Sequence, residues 1–291
     1  MKSFLLALSL ALASTGWAQT AEFVFYHPPG GGADTHSRGL IIALEQQGVL
    51  VKRTYVKSCA EAISYVENNS NAFVISLTAD LRYSHSARCP SIDRVPKLRL
   101  YSSIADTSFV YCAAPKRQDL DLKTIETIQR QLLVAVPTID ANWIPFNLFV
   151  KNQKKPAELK LVPYKGGGDL KTAVLSGNVD LFYVGTVRDL IDSGARCLAA
   201  STRKNPYGLP FLGDLTTIKD FPETALTTTL WHAGSLDKKL HDSLRQAFVS
   251  KTFQEYLASN FLSHNGIGSG TTPDVTLKNI RDLDILFEKL K

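Results

Sequence analysis

"FYHPPGGGADTHSRGLIIAL", residues 25–44, sets two prolines and three glycines between a short apolar run and an amphipathic one. Phe23 to Tyr26 reads as a strand, and Leu40, Ile41 and Leu44 recur at helical spacing up to Gly48, a residue suited to a helix end. Between strand and helix the chain gives up side chains at Gly30, Gly31 and Gly32. Glycine lets backbone N–H groups approach a ligand closely, and a helix N-terminus adds free N–H donors and a partial positive charge. Asp34 can cap that helix. Taken alone, the triple glycine fits two readings, a tight turn or a cradle for an anion.

The alternation continues outward from this loop. Val49 to Val56 reads as a strand, Ala60 to Asn68 as a helix and Ala72 to Leu77 as a continuous apolar strand. That pattern predicts an α/β fold with mostly parallel sheets covered on both faces. "LRLYSSIADTSFVYCAAP", residues 98–115, is a long β-rich stretch suited to a crossing strand, after which the pattern restarts. Helices are predicted over 122–130, 144–151 and 170–176, and strands over 132–136, 160–164, 179–184 and 198–201. "ALTTTLWHAG", residues 225–234, is a candidate return crossing, with helices over 238–248, 252–261 and 273–290 after it. This order predicts lobe 1 from about Gln19 to Ala105 and from Trp231 to Lys291, with lobe 2 over 106–230. Two such lobes, joined by two crossing strands, enclose a cleft beyond the carboxyl ends of their strands.

The N-terminus has the three parts of a secretory signal peptide: Lys2, the apolar run Phe4 to Ala13, and Gly16-Trp17-Ala18. Cleavage after Ala18 would start the mature chain at Gln19. With 44% hydrophobic and 21% charged residues, a chain of 291 residues can bury a full core. The formal charge of +6 is scattered, with no basic run interleaved with aromatics, so nucleic acid is not an expected partner. The four cysteines, Cys59, Cys89, Cys112 and Cys197, lack the CxxC spacing of zinc or thioredoxin chemistry. In an exported chain disulfides are the natural reading. Cys59 with Cys89, tying a helix start to the loop after the next strand, and Cys112 with Cys197 are favoured among three connectivities. Buried free thiols on apolar strands fit Cys112 and Cys197 nearly as well.

A second glycine loop stands in "LKLVPYKGGGDLKTAVLSGNVDLFYV", residues 159–184, where a strand again runs into Gly166-Gly167-Gly168 and the acidic Asp169. Neither loop matches GxxxxGK[ST] or GxGxxG. One such loop in each expected lobe raises the anion reading above the tight turn. "PPGGGAD" at 28–34, "VPYKGGGDLKTAVLSGNVDLFYV" at 162–184 and "STRKNPYGLPFLGDL" at 201–215 resemble the matching segments of the Bug (TctC-type) solute-binding proteins of tripartite tricarboxylate transporters. The order and spacing of the other segments fit that family over essentially the whole mature chain.

The resemblance implies a periplasmic, monomeric binding protein of type II (Venus-flytrap) architecture, without cofactor or metal. Such a protein closes on a small organic acid and presents it to an inner-membrane transporter. Its glycine loops hold carboxylates through backbone amides and water. Carried over, the contacts are Pro29, Gly30, Gly31, Gly32, Ala33 and Asp34 from lobe 1, and Lys165, Gly166, Gly167 and Gly168 from lobe 2. Strand ends at Ser76, Leu77 and Thr78 and at Tyr183, Val184 and Gly185 line the cleft. The chain departs from the family at "PTIDANWIPF", residues 137–146, where a glycine- and serine-rich loop is usual. There Asp140 can accept from a ligand amine or hydroxyl while Trp143 packs on its carbon frame. Equally, Asp140 can cap a helix and Trp143 can pack between lobes. "YVKSCAEA", residues 55–62, replaces another glycine-rich segment and offers Lys57 or Ser58 as ligand contacts, or Lys57 as a solvated side chain. These departures widen the expected ligand from a dicarboxylate to an amino or hydroxy acid.

No compact histidine spacing such as HExxH and no GxSxG elbow occurs, so neither a metal centre nor catalysis is expected. Two alternatives stay open: a solute-binding protein that reports to a sensor, which needs the same cleft and hinge, and an exported α/β hydrolase with a dispersed triad.

Overall fold

The computed structural model describes residues 19–78, 80, 89–90, 92–137, 143–154, 157–164, 167–264 and 266–289. The expected signal peptide lies outside the described residues. The chain opens with β1 (Thr20–Phe25), α1 (Gly32–Gln46), β2 (Leu50–Tyr55), α2 (Cys59–Glu67) and β3 (Ala72–Leu77). The long β-rich stretch forms β4 (Leu98–Ser108) and β5 (Val110–Ala113), interrupted only at Phe109. Then follow α3 (Leu122–Thr127), β6 (Leu132–Pro137), α4 (Trp143–Lys151), β7 (Leu159–Tyr164), α5 (Gly167–Ser176) and β8 (Leu181–Val184). After α6 (Arg188–Asp192) and β9 (Arg196–Ala200), the chain returns through β10 (Ala225–Ala233) to α7 (Lys238–Phe248), α8 (Lys251–Ser259) and α9 (Pro273–Lys289). Among the described residues α6 is the α-helix without a counterpart in the sequence reading, because five residues are too few to display a period.

The strands form two sheets, one in the order β2-β1-β3-β10-β4 and one in the order β7-β6-β8-β5-β9. In each, the strand and helix alternation produces three parallel neighbours, as expected. The crossing strands add antiparallel pairs: β10 lies between β3 and β4, and β5 between β8 and β9. Each sheet is therefore mixed rather than mostly parallel. A strand that arrives from the other sheet has no crossover helix to set it parallel.

Period-two alternation explains why both faces are covered. In the first sheet Phe23, Phe25, Phe73, Ile75 and Leu230 face a core completed by Leu40 and Leu44 of α1 and by Phe248 and Phe253. Their neighbours Val24, Ala72, Val74 and Trp231 face the opposite core with Ala62 and Val66 of α2. In the second sheet Val134, Val136, Tyr111 and Tyr183 pack on Phe146 and Phe149 of α4, while Ala135, Cys112 and Phe182 pack on Leu170 and Val174 of α5. Each fully buried Phe or Leu contributes roughly 1.5–3 kcal/mol over an exposed one, so these four layers dominate the fold's stability.

Both favoured disulfides are present. Cys59 at the start of α2 is joined to Cys89, and Cys112 of β5 to Cys197 of β9. Cys112 and Cys197 are register partners on neighbouring strands, which brings them together without any further loop.

The chain passes between sheets at few points. β4 ends at Ser108, paired with Ala225 at the start of β10, and Phe109 carries the chain into the second sheet. Phe109 exchanges bonds with Ser201, donating its N–H to Ser201 Oγ (2.9 Å) and accepting from Ser201 N–H (2.8 Å). Thr224 N–H donates to Ser201 O (3.0 Å), so the outgoing and returning chains are tied at one place.

Candidate functional site

The carboxyl ends of β1, β2 and β3 share one edge of the first sheet because these strands are parallel. The loop after β1 is the most distinctive feature there. Gly30 has φ +77°, a left-handed conformation that costs other residues about 1–2 kcal/mol. Gly31 stands at the N-cap of α1 in extended conformation and offers no capping side chain. By contrast, Ser58, Asp121, Asp237 and Ser250 cap their helices through side-chain oxygens. Among the described residues no side chain caps the N–H groups of Gly32, Ala33 and Asp34, at the positive end of a helix of 15 residues; Gly32 is half-buried, and Ala33 and Asp34 are buried. Gly30 and Gly31 do not add to that set. Gly30 N–H donates to Asp34 Oδ2 (2.8 Å) and Gly31 N–H to Pro28 O (3.2 Å).

Asp34 is not the N-cap expected from sequence but the third residue of α1, reaching back to the loop. Its carboxylate is 2% exposed and also accepts from Arg38 Nη2 (2.9 Å) and the Tyr55 hydroxyl (3.2 Å), with Arg53 Nη1 at 3.8 Å. Burial by itself would raise this carboxyl's pKa. The hydrogen bonds from Arg38 and Gly30, with the charge of Arg38, outweigh burial and hold it below the ordinary Asp value. With its oxygens so committed, the Asp34 side chain shapes the glycine loop.

His36, two residues further on, is fully buried. Its Nδ1 lies 2.6 Å from Thr228 Oγ1 of β10, and its Nε2 3.4 Å from Thr186 Oγ1, just past β8 of the second sheet. Desolvation lowers its pKa to about 4, so the ring is neutral at neutral pH. A Cβ on Gly32 would stand 3.5 Å from the same Thr186 Oγ1. Thr107 of β4 donates its hydroxyl to Gly185 O (2.8 Å), and Leu77 packs against the cores of both sheets. The α1 N-terminus, the end of β3 and the turn after β8 thus meet at the junction of the two sheets.

A polar cluster lies beside them. The Tyr26 hydroxyl is 2.7 Å from Ser76 Oγ and donates to Asp80 Oδ2 (3.2 Å), and His27 Nε2 is 2.9 Å from the same oxygen. Asp80 and Ser76 are buried, while Tyr26 is half-buried. Tyr26, His27, Asp80, His36 and Thr186 were all missed in the sequence reading. One signal existed: His36, Leu40 and Leu44 recur every four residues on the buried face of α1.

Other expected residues fall in two groups. Pro29 and Gly30 are exposed on the loop, Gly31 and Gly32 are half-buried, and Thr78 donates its N–H to Thr227 O (2.9 Å) of β10. Tyr183 and Val184 do not offer side chains at the strand end. The Tyr183 ring is sandwiched in the core between Phe109 (5.0 Å between centroids) and Phe146 (4.2 Å), and Val184 belongs to the opposite core. Ser58 caps α2 by accepting from Glu61 N–H (3.2 Å), and Lys57 N–H donates to Glu61 Oε2 (3.0 Å), a reciprocal arrangement that commits Ser58. Asp140, Lys165 and Gly166 lie outside the described residues, as does the Trp143 side chain; the Trp143 backbone opens α4.

The two glycine loops also differ in topological place. The first follows β1, the middle of three parallel strands, whereas Gly167 and Gly168 follow β7, at the edge of its sheet, as the first residues of α5. The second sheet's counterpart of the β1 loop is the connection from β6 to α4, which holds Asp140.

No protein-family model matches the sequence, and no curated protein matches it. Solved structures do resemble the fold. Rpa4515 of R. palustris with adipate superposes with TM-score 0.73 at 19% identity, covering 94% of this chain and 97% of that one. MatC (Rpa3494) from Rhodopseudomonas palustris with bound malate gives TM-score 0.70 at 12% identity over 94% of this chain and 98% of that one. The periplasmic binding protein BugD gives 0.68 at 14% identity over 94% and 96%. The chain has the two-lobed α/β fold of periplasmic solute-binding proteins.

Proposed function

We propose that this chain is an exported, periplasmic receptor that captures a small organic acid between two lobes and delivers it to an inner-membrane transporter. The observation that carries this reading is the uncapped N-terminus of α1, which leaves three backbone N–H groups at the junction of the two sheets. Lobe 1 comprises about 19–105 and 231–291, lobe 2 comprises 106–230, and the chain bends between them around Phe109 and Thr224. Structures of the same fold hold malate and adipate, which supports a carboxylate as ligand.

In this reading one carboxylate sits on the N–H groups of Gly32, Ala33 and Asp34. Gly167 and Gly168, with Lys165 and Gly166, approach it from lobe 2. Four or five hydrogen bonds to a charged group, at roughly 1.5–3 kcal/mol each, supply the ~8 kcal/mol of a micromolar complex. Asp140 accepts from an amine or hydroxyl of the ligand, and Trp143 packs on its carbon frame. The ligand leaves unchanged, since the role is binding rather than turnover.

Native mass spectrometry of the mature protein, followed by thermal-shift screening against mono- and dicarboxylates, amino acids and aromatic acids, tests the proposal. A co-purifying or stabilising acid, recovered intact, is the expected result. Stabilisation by neutral or cationic solutes with none by acids would overturn it.

A further inference from the structure

A second feature lies at the opposite end of the first sheet, away from the glycine loop. There the end of α2 and the turn after it, the start of β4, the end of β10 and one face of α7 enclose a groove of about 1280 Å³. Four cations line it: Lys97 and Arg99 from the start of β4, and Lys238 and Arg245 from α7. All four are exposed, and none is ion-paired among the described residues. Several arginines elsewhere are paired, Arg38 with Asp34, Arg130 with Asp180 and Arg188 with Asp192. The acid among its lining residues is Glu67, and Asp242, outside the lining, lies 3.6 Å from His241. His232, also in the lining, is held below its ordinary pKa first by burial and then by the charge of Arg99, which favours its neutral form.

We infer that this groove is a docking site for an extended acidic segment of a partner protein. Its volume exceeds the roughly 300–1,000 Å³ typical of small-molecule pockets. Its cations are spread rather than focused on one point. Lys238 and Arg245 are two turns apart on α7, about 10 Å along the helix at 1.5 Å per residue. In an extended chain of the polyproline II kind, which rises about 3.1 Å per residue with three residues per turn, carboxylates three positions apart lie on one side about 9 Å apart, close to that spacing. Leu100, Leu236 and Pro96 between the charges provide apolar contact for the intervening side chains. Nothing in this inference depends on the small-acid site at the other end of the sheet.

The test is fluorescence anisotropy of the mature protein with a labelled octaglutamate peptide, with free citrate and phosphatidylglycerol vesicles as separate arms. The double variant Arg99→Gln/Arg245→Gln removes two groove charges. Lys123→Gln/Lys160→Gln removes two exposed charges from the second lobe and leaves the same net charge. If the groove binds, the first variant weakens peptide binding about tenfold, equivalent to 1.4 kcal/mol, and the second less than twofold. Equal weakening by both variants would reduce the effect to net charge and overturn the inference. So would peptide binding that is unchanged in the groove variant. Binding of citrate as tight as the peptide would make it a small-anion site instead, and groove-dependent binding of vesicles without peptide would make it a membrane contact. Thermal melts of both variants, and their retained response to any stabilising acid, separate a failed groove from a failed fold or a failed small-acid site.

Discussion

Acidification isolates the contribution of His36. In the folded protein its pKa is lowered from 6.5 to about 4 by burial, with two threonine hydroxyls as its neighbours. Because the folded value is depressed, the unfolded chain takes up a proton at His36 before the native state does. The associated stability is complete above about pH 6.5 and is lost as pH falls toward 4. A shift of this size corresponds to about 3 kcal/mol in full, of which about 2 kcal/mol is gone by pH 5. Asp34 does not interfere in that window: its carboxyl is depressed below 3.8, so its contribution is lost only at lower pH. The lowered pKa of His232 acts in the same direction in every variant and cancels in a comparison. Urea unfolding at pH 7.5 and pH 5.0 should therefore show the wild type losing about 2 kcal/mol more than His36→Gln between the two conditions. Equal losses would refute the assignment of a buried neutral imidazole at the junction of the sheets.

Three further outcomes follow from the same geometry. Gly31→Val keeps the fold, because φ −72° and ψ 176° suit valine, but its side chain crowds Pro28 O and the uncapped N–H groups; thermal stabilisation by any acid ligand should disappear, and unchanged affinity would count against the loop. Asp34→Ala removes the acceptor of Gly30 N–H, the Tyr55 hydroxyl and the Arg38 guanidinium, all of which reach solvent, and should cost about 1–2 kcal/mol in urea unfolding; a loss below about 0.5 kcal/mol would show the clamp to be dispensable. Replacing both Cys59 and Cys89 with serine frees a loop with a sequence separation of 30. It should lower stability by about 3–4 kcal/mol at neutral pH, read as a fall in Tm relative to the oxidised wild type.

The strands and helices were legible in the sequence because the period of the apolar residues is set by local backbone geometry. AFVISL, residues 72–77, reads as a continuous apolar strand and is one, and the β-rich stretches at 98–115 and 225–234 announced the crossings. The favoured cysteine pairs are the ones that formed, although the sequence left three connectivities, and free thiols at Cys112 and Cys197, open. What only the tertiary structure decided were contacts between residues far apart in the chain. Asp34 is a loop clamp because Tyr55 and Arg53, on the neighbouring strand, close over it. Tyr183 is a core residue because Phe109 and Phe146 sandwich it. His36 joins α1 to Thr228 and Thr186, residues more than a hundred positions away. Lys97, Arg99, Lys238 and Arg245 look scattered along the sequence and form one groove only because β10 places α7 beside the start of β4. Local periodicity is encoded within a few neighbouring residues, whereas hydrogen-bond partners and charge clusters exist only after the sheets have fixed which distant segments meet.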